Sequence, residues 1–273
     1  MIEVQIAPVG GLCIDGDGNQ YQTVKIGEQI WMAENLKTTK YNDGTAIAFV
    51  DDEDAEANVW ENLTTGAYSR GGPDGTAADD NYEDTYGFFY NWYAVDTEKL
   101  APKGWHVPSN YETGVLESYL DSNQGSKISG SADLWDNGSL KSSSDFGTTN
   151  FNAKPGGLRL WDTGYIGFLG EYSVWWTTTA GLASNYYYWL THYNSTAITR
   201  NPTMPHYGFN IRCLRDISEV SVSSQAMSGV SITVPPSYGS SDRWDTFDIP
   251  WDDSIVYWSS SWEEDELVKP AIP

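Results

Sequence analysis

The chain has 273 residues, which is long enough for one large domain with an extension or for two small domains. Its hydrophobic fraction of 40% excludes wholesale disorder, and its 13 Trp and 18 Tyr predict an aromatic core and surfaces suited to binding. The 38 acidic residues against 15 basic ones give a formal charge of −23, so we expect neither nucleic acid nor an anionic membrane as a partner.

Cysteine content and hydropathy set two further limits. Only Cys13 and Cys213 occur, so the chain has no disulfide framework. No apolar run approaches the ~20 residues of a membrane helix, and the first residues lack the basic and apolar regions of a secretory signal. We therefore expect no membrane insertion and no export through a signal of the chain's own.

The first structural signal is the run Asp-Gly-Asp-Gly-Asn at residues 15–19. Asp-Gly and Gly-Asn favour tight turns, so short strands joined by turns are predicted over residues 14–31. The run also begins like a calcium loop, but Ile26 occupies the position of the bidentate glutamate and Glu28 falls too late. A turn is therefore the preferred interpretation, and we predict no cofactor and no metal site.

Residues 51–84 form a strongly acidic run with Arg70 as its one basic residue. Such a run predicts a solvated loop, with a multi-carboxylate cation site as the alternative. The continuous aromatic run at residues 86–95 follows, and its periodicity leaves a buried strand and a short helix both open.

A helix is predicted next, because Ser-Asn-Tyr-Glu at residues 109–112 is a capping box. The helix is expected to end near residues 121–123, and its apolar residues have the spacing of one buried face: Tyr111, Val115, Leu116, Tyr119 and Leu120. Residues 123–158 are rich in Gly, Ser, Asp and Asn, which predicts an irregular excursion that meets the core again at Phe151.

Strands dominate the remainder, with three predicted at residues 164–169, 172–179 and 186–193 and a last one at 208–215. In the last strand, alternation places Phe209, Ile211 and Cys213 on one face and Asn210, Arg212 and Leu214 on the other. The whole pattern indicates an α+β fold with few helices.

Several of these segments carry motifs in a fixed order: Trp-Met-Ala-Glu-Asn-Leu at 31–36, Tyr-Gly-Phe-Phe-Tyr-Asn-Trp at 86–92, Pro-Lys-Gly-Trp-His-Val-Pro at 102–108 and Gly-Phe-Asn-Ile-Arg-Cys-Leu-Arg at 208–215. In this order they resemble the FISUMP domain, the Fibrobacter succinogenes major paralogous domain of bacterial surface proteins. The resemblance covers residues 12–216 and leaves out an N-terminal arm, 1–11, and a non-helical extension, 217–273.

The resemblance implies a C-type-lectin-like domain with small antiparallel sheets and long irregular loops that present a binding face. It also implies that the Trp residues inside the motifs are core residues: Trp31, Trp92, Trp105 and Trp176. The family often has a cysteine where this chain has Ala101, so its usual disulfide with the last strand is lost. Cys213 is then either a free buried thiol or the partner of Cys13.

We predict a binding surface rather than a catalytic centre. No histidine pairs with a nucleophile in any motif, and His106, inside the family motif, is interpreted as a structural residue with both ring nitrogens satisfied. Alternation in the Tyr-rich strand at 186–190 is expected to send one set of rings outward. The candidate ligand-binding residues are Trp161, Asp162, Tyr165, Tyr186, Tyr188, Tyr193, Asn194 and His206.

The extension at 217–273 is acidic and aromatic, and its large rings are spaced as anchors for docking on another protein: Trp244, Phe247, Trp251, Tyr257, Trp258 and Trp262. Together with the missing export signal and the expected free thiol, this favours a non-enzymatic binding or display protein on a bacteriophage virion surface. Its partners would be other virion proteins, a host glycan or surface protein, and further copies of the chain. The alternatives are a purely structural capsid decoration protein and an adhesin-like protein on a bacterial cell surface.

Overall fold

A computed structural model describes residues 13–50, 59–71 and 82–216. The predicted N-terminal arm, parts of the acidic run and all the predicted docking residues lie outside these ranges. No helix within them is long and apolar enough to cross a membrane.

Helices are few and short in the described part of the chain. The α-helices are Tyr82–Tyr86 (α1), Trp92–Val95 (α2), Asn110–Leu120 (α3), Gln124–Ile128 (α4) and Ser139–Ser142 (α5), and Trp60–Asn62 forms a 3-10 helix. The strands are Cys13–Ile14 (β1), Gln20–Tyr21 (β2), Thr23–Ile26 (β3), Gln29–Met32 (β4), Ala48–Phe49 (β5), Ala67–Ser69 (β6), Phe89–Tyr90 (β7), Trp105–His106 (β8), Leu158–Arg159 (β9), Ile166–Gly167 (β10), Tyr172–Ala180 (β11), Tyr186–His192 (β12), Thr199–Thr203 (β13) and Leu214–Arg215 (β14).

These strands form several small sheets, so the predicted α+β class with small antiparallel sheets is confirmed. The largest has the order β3-β4-β14-β8, and its neighbouring strands are antiparallel. The second is the antiparallel sheet β11-β12-β13, and the third is β5-β6-β7, in which β5 and β6 are parallel. Hairpins β1-β2 and β9-β10 complete the set.

Residues 208–215 link the sheets to one another. Phe209 exchanges backbone hydrogen bonds with Tyr90 of β7, and the Asn210 amide donates to the Val174 carbonyl of β11. Further along, Leu214 pairs with Trp31 of β4 and with β8. Every residue from 208 to 214 is buried, so this segment runs through the middle of the domain.

The described core has three clusters, and the two larger ones lie on opposite faces of β12. The first contains Trp92, Trp105 and Trp176, and the second contains Trp31 packed with Trp189, at 5.9 Å between ring centroids. The prediction that the tryptophans of the motifs are core residues is confirmed. Both Cys13 and Cys213 lie in the first cluster as buried free thiols, which decides between the two states that the sequence left open.

Arg212 joins the last segment to the second cluster. Its side chain is 1% exposed and donates to the Asn35 Oδ1 atom at 2.7 Å and to the carbonyls of Met32, Phe151 and Asn152. The guanidinium also lies 4.6 Å from the centroid of the Phe151 ring. Alternation along 209–214 is as predicted, but the polar face is buried because backbone carbonyls from distant segments surround it.

The buried face of α3 differs from the prediction. Leu116 and Leu120 are buried as expected, together with Thr113, but Tyr111 and Tyr119 are 79% and 65% exposed and Val115 is exposed as well. The helix lies on the sheet with its narrow Thr-Leu-Leu stripe, and the Tyr119 ring instead lies beside Gly27 in the turn between β3 and β4. The apolar spacing therefore overestimated the width of the buried face.

Local predictions elsewhere are confirmed or refined. The turn at 15–19 is closed by the Asp15 carboxylate, which accepts from the amides of Asp17 and Asn19 at 2.9 and 3.0 Å. The run at 86–95 contains both predicted forms, strand β7 and helix α2, separated by Asn91 as the N-cap. The acidic run contains the 3-10 helix, β6 and the start of α1, and is therefore not entirely a loop.

Candidate functional site

The tyrosine-rich strand β12 is covered on both faces. Tyr186 and Tyr188 pack against the first core cluster while staying partly exposed, and Trp189 is fully buried in the second. The predicted alternation therefore holds only in part: Trp189 is buried, but Tyr186 and Tyr188 are partly exposed rather than directed fully outward. The reason is that β12 is the central strand of its sheet and has a core cluster on each side.

Half-buried rings nevertheless lie on one face of β12 and beside it; we call this set the aromatic band and define it as Tyr172, Tyr186, Tyr188, His192 and Tyr207. Tyr172 and His192 are opposite each other in the β11-β12 register, with ring centroids 4.5 Å apart. Tyr188 and Tyr207 both contact the buried Phe209 ring, at 5.0 and 5.6 Å. Along β12 from residue 186 to residue 192 the band extends for about 20 Å.

The band has polar atoms but contains no Lys, Arg, Asp or Glu. Burial raises the pKa of the Tyr188 hydroxyl, and the neighbouring Tyr207 and Tyr172 hydroxyls add to this, whereas a hydrogen bond with Asn201 on β13 opposes it. Tyr188 therefore stays a neutral phenol at physiological pH. The surface can offer hydroxyl, amide and imidazole groups beside apolar ring faces.

One end of the band reaches the predicted residue His206. Tyr186 stacks on Trp92 with ring centroids 3.4 Å apart, and the next residue along α2, Tyr93, places its hydroxyl 3.3 Å from the His206 Nε2 atom. The Trp60 indole donates to the His206 carbonyl, and this hydrogen bond holds the backbone of His206 in place. The structure thus brings together three predicted residues, Tyr186, Tyr188 and His206.

The other predicted residues lie apart from this centre. Trp161, Asp162 and Tyr165 occupy the β9-β10 hairpin, where Trp161 is half-buried and the other two are exposed. Tyr193 and Asn194 follow β12 at its far end, where the Tyr193 ring contacts His192 of the band at 4.5 Å between centroids and the Asn194 Oδ1 atom accepts from the Ser139 amide at 3.4 Å. The predicted set is therefore spread over three places.

Sequence reasoning missed Tyr172, His192 and Tyr207. Alternation from Tyr186 and Tyr188 along β12 reaches residue 192, so the period of two was a usable signal for His192. No local pattern indicates Tyr172 or Tyr207, because these join the band only through strand pairing and through contact with Phe209.

A second group of polar side chains surrounds His106. Its Nδ1 atom lies 2.7 Å from a carboxylate oxygen of Asp216, and its Nε2 atom lies 2.9 Å from one of Glu112. Since each ring nitrogen faces an acceptor, the ring fits best as an imidazolium that donates twice. The hydrogen bond to Glu112 raises the pKa of His106 despite its partial burial, and the pKa of Glu112 is lowered to about 2.

The hydrogen bonds around His106 stabilise the start of α3. Glu112 also accepts from the amide and hydroxyl of Ser109, which confirms the predicted capping box at the start of α3. The prediction that both ring nitrogens of His106 have hydrogen-bond partners is confirmed. With both nitrogens engaged, His106 has no lone pair directed at a nucleophile.

Two cavities flank this group, and His106 and Glu112 line both. The smaller has a volume of about 350 Å³ and lies between α2, the start of α3 and residue Thr178. The larger, about 680 Å³, lies between α3 and the end of β14. Within residues 13–50, 59–71 and 82–216, no three His, Cys, Asp or Glu side chains come together as a metal-ligand set.

Comparison with known proteins identifies the family. The model of the Fibrobacter succinogenes major domain matches residues 24–215, which span β3 to β14. No curated protein and no solved structure matches the chain, so the C-type-lectin-like fold implied by the resemblance stays a prediction. The chain belongs to the Fibrobacter succinogenes major domain family.

Proposed function

We propose that this domain is a non-enzymatic binding domain that contacts a neutral glycan through the aromatic band. The observation that supports the proposal is the band itself, in which half-buried rings run for about 20 Å along one strand and across its neighbours. Rings held by core packing lose little conformational entropy on binding, so they suit recognition of an extended ligand.

Charge selects the ligand class. The chain carries a formal charge of −23, which disfavours acidic polysaccharides, and the band contains no Lys or Arg that would attract them. Tyrosine faces can stack on the C–H faces of sugar rings, while the Tyr188 hydroxyl and the Asn201 amide can bind sugar hydroxyls. A neutral glycan uses both kinds of group.

An array of neutral and anionic glycans tests the proposal with matched variants. Tyr188→Leu keeps apolar contact with Phe209 but removes the ring face and hydroxyl, whereas Tyr111→Leu alters a tyrosine that is 79% exposed on α3. We expect Tyr188→Leu to weaken neutral-glycan binding at least about tenfold, or about 1.4 kcal/mol, and Tyr111→Leu to leave it unchanged. Circular dichroism spectra would establish that both variants fold.

The proposal fails if no neutral glycan binds, if anionic glycans bind better, or if the two variants lose binding equally.

The virion location expected from the sequence is a separate proposal. Immunogold electron microscopy of native particles checks it, and label on the host cell envelope but not on particles would contradict it.

A further inference from the structure

The smaller cavity has the floor of a binding site. Val95, Leu100, Ala101 and Val107 line it, and each of these four residues is 5% exposed or less. A volume of about 350 Å³ lies near the lower end of the range for ligand pockets, so the cavity accommodates a small group rather than an extended chain. Its apolar floor suits a short aliphatic stem.

The rim of the cavity is acidic. Asp96 and Glu98 line it as exposed residues, and although their backbone amides are bonded, neither carboxylate makes a hydrogen bond or ion pair with any residue that the structure describes. The nearest basic residue in sequence, Lys99, is directed elsewhere, with its Nζ atom 2.9 Å from a carboxylate oxygen of Asp43. No Lys or Arg lines the cavity, so these two charges are not neutralised at the rim.

The other charged residues that line the cavity do not cancel the negative charge of its rim. His106 and Glu112 face each other there at 2.9 Å, so their charges offset, and Asp216 lies on the other side of His106. The cavity therefore keeps a net negative charge from Asp96 and Glu98 above an apolar floor. Because the described carboxylates and histidines do not converge as a metal-ligand set, the charge arrangement suits an extended organic cation rather than a metal ion.

We propose that this cavity binds an organic cation with a short aliphatic stem, in which an alkylammonium or guanidinium group faces Asp96 and Glu98 and the stem contacts Leu100 and Val107. The same chemistry is found in a free alkylamine and in a lysine or arginine side chain of a partner protein. The cavity is separate from the aromatic band, with Trp92 between them, stacked on Tyr186 and lining the cavity.

Nuclear magnetic resonance provides a direct test, because the chain has only 3 histidines and the His106 ring lines the cavity. Titration of the full chain with n-butylammonium should shift the His106 ring signals saturably, with a dissociation constant on the order of 1 mM. Neutral n-butanol and anionic butyrate, which have the same stem, should bind at least about tenfold more weakly because they lack the positive charge.

Variants separate a specific site from general attraction by an acidic protein. Asp96→Asn combined with Glu98→Gln should weaken n-butylammonium binding at least about tenfold, and both substitutions lie at exposed positions where they should not impair folding. The control Asp133→Asn removes an exposed carboxylate that does not line the cavity and should leave the titration unchanged. Tyr188→Leu should also leave it unchanged.

Three results would overturn the proposal: no saturable shift of His106, equal binding of n-butanol, or equal losses for the double variant and Asp133→Asn. A further titration with Nα-acetyl-lysine amide distinguishes the sources of the cation. Tighter binding than n-butylammonium supports a partner's side chain, and weaker binding supports a free amine. Because these readouts do not depend on the band, they leave the glycan proposal to its own test.

Discussion

Replacement of Arg212 by methionine should be among the most destabilising single substitutions in the domain. The side chain is 1% exposed and donates to four acceptors: the Asn35 Oδ1 atom and the carbonyls of Met32, Phe151 and Asn152. Burial lowers the pKa of the guanidinium to about 9, which is still above neutrality, so the group carries its charge at pH 7.

The magnitude follows from the acceptors that lose their donor. A buried polar group left unsatisfied costs about 1–3 kcal/mol, and some of the four acceptors can relax towards other donors or admit water. Methionine fills much of the volume and removes a costly buried charge, which limits the loss. We therefore expect the free energy of unfolding to fall by about 3–5 kcal/mol, with a decrease in Tm on the order of 10 °C for a domain of this size.

Urea denaturation followed by far-UV circular dichroism measures this change. Arg215→Met is the matched control, because Arg215 is exposed on the adjoining strand β14, and it should change the free energy of unfolding by less than about 0.5 kcal/mol. Arg212→Lys should fall between the two, since an ammonium keeps the charge but lacks the planar set of five donors. If Arg212→Met lowers the free energy of unfolding by less than about 1 kcal/mol and by no more than the control does, a structural role for the guanidinium and its acceptors is refuted.

Three further predictions concern other parts of the domain. Gly157→Ala should destabilise by more than Gly44→Ala in thermal unfolding. Both glycines have positive φ, at 72° and 89°, but only at position 157 would a Cβ collide with a backbone oxygen, that of Gly167. Equal losses would show that this contact relaxes at little cost. His106→Gln should lower the free energy of unfolding most between about pH 4.5 and 6.5. The raised pKa of His106 contributes stability that is lost as pH rises through its folded-state value, whereas the lowered pKa of its partner Glu112 contributes stability that is lost only in stronger acid. A loss independent of pH would contradict this. Cys13 and Cys213 should not react with Ellman's reagent until the protein unfolds, because both thiols are buried. Burial also raises the pKa of Cys13 to about 12 and that of Cys213 well above its usual value. Rapid labelling in native buffer would show that the first cluster opens.

Predictions from the sequence succeeded where the deciding contacts are local. The turn at 15–19 and the capping box at 109–112 depend on side chains that bond to backbone atoms within four residues of themselves. The family resemblance also identified the tryptophans of the motifs as core residues, in line with the high average burial of tryptophan in folded proteins. Turn and cap chemistry is therefore readable without knowledge of the fold.

Predictions failed where the environment comes from distant segments. Tyr111 and Tyr119 have helical spacing like Leu116, yet the sheet contacts only a narrow stripe of α3. Tyr186 was expected to point outward, and the stack with Trp92 that covers it comes from residues almost a hundred positions earlier. Alternation locates the faces of a strand, but whether each face is covered depends on tertiary contacts that a single sequence does not reveal.

The central position of residues 208–215 has a consequence for synthesis of the protein. These residues are among the last of the domain to leave the ribosome, yet they supply strand partners for β4, β7, β8 and β11. Until they emerge, Trp31 and its neighbours in the second cluster lack the Arg212 contacts, and two aromatic clusters stay incomplete. Pairing between strands this distant in sequence is slow, and partly folded chains would expose many aromatic rings meanwhile. Folding of the domain can therefore be completed only after this segment has been synthesised, and incomplete chains are exposed to aggregation until then.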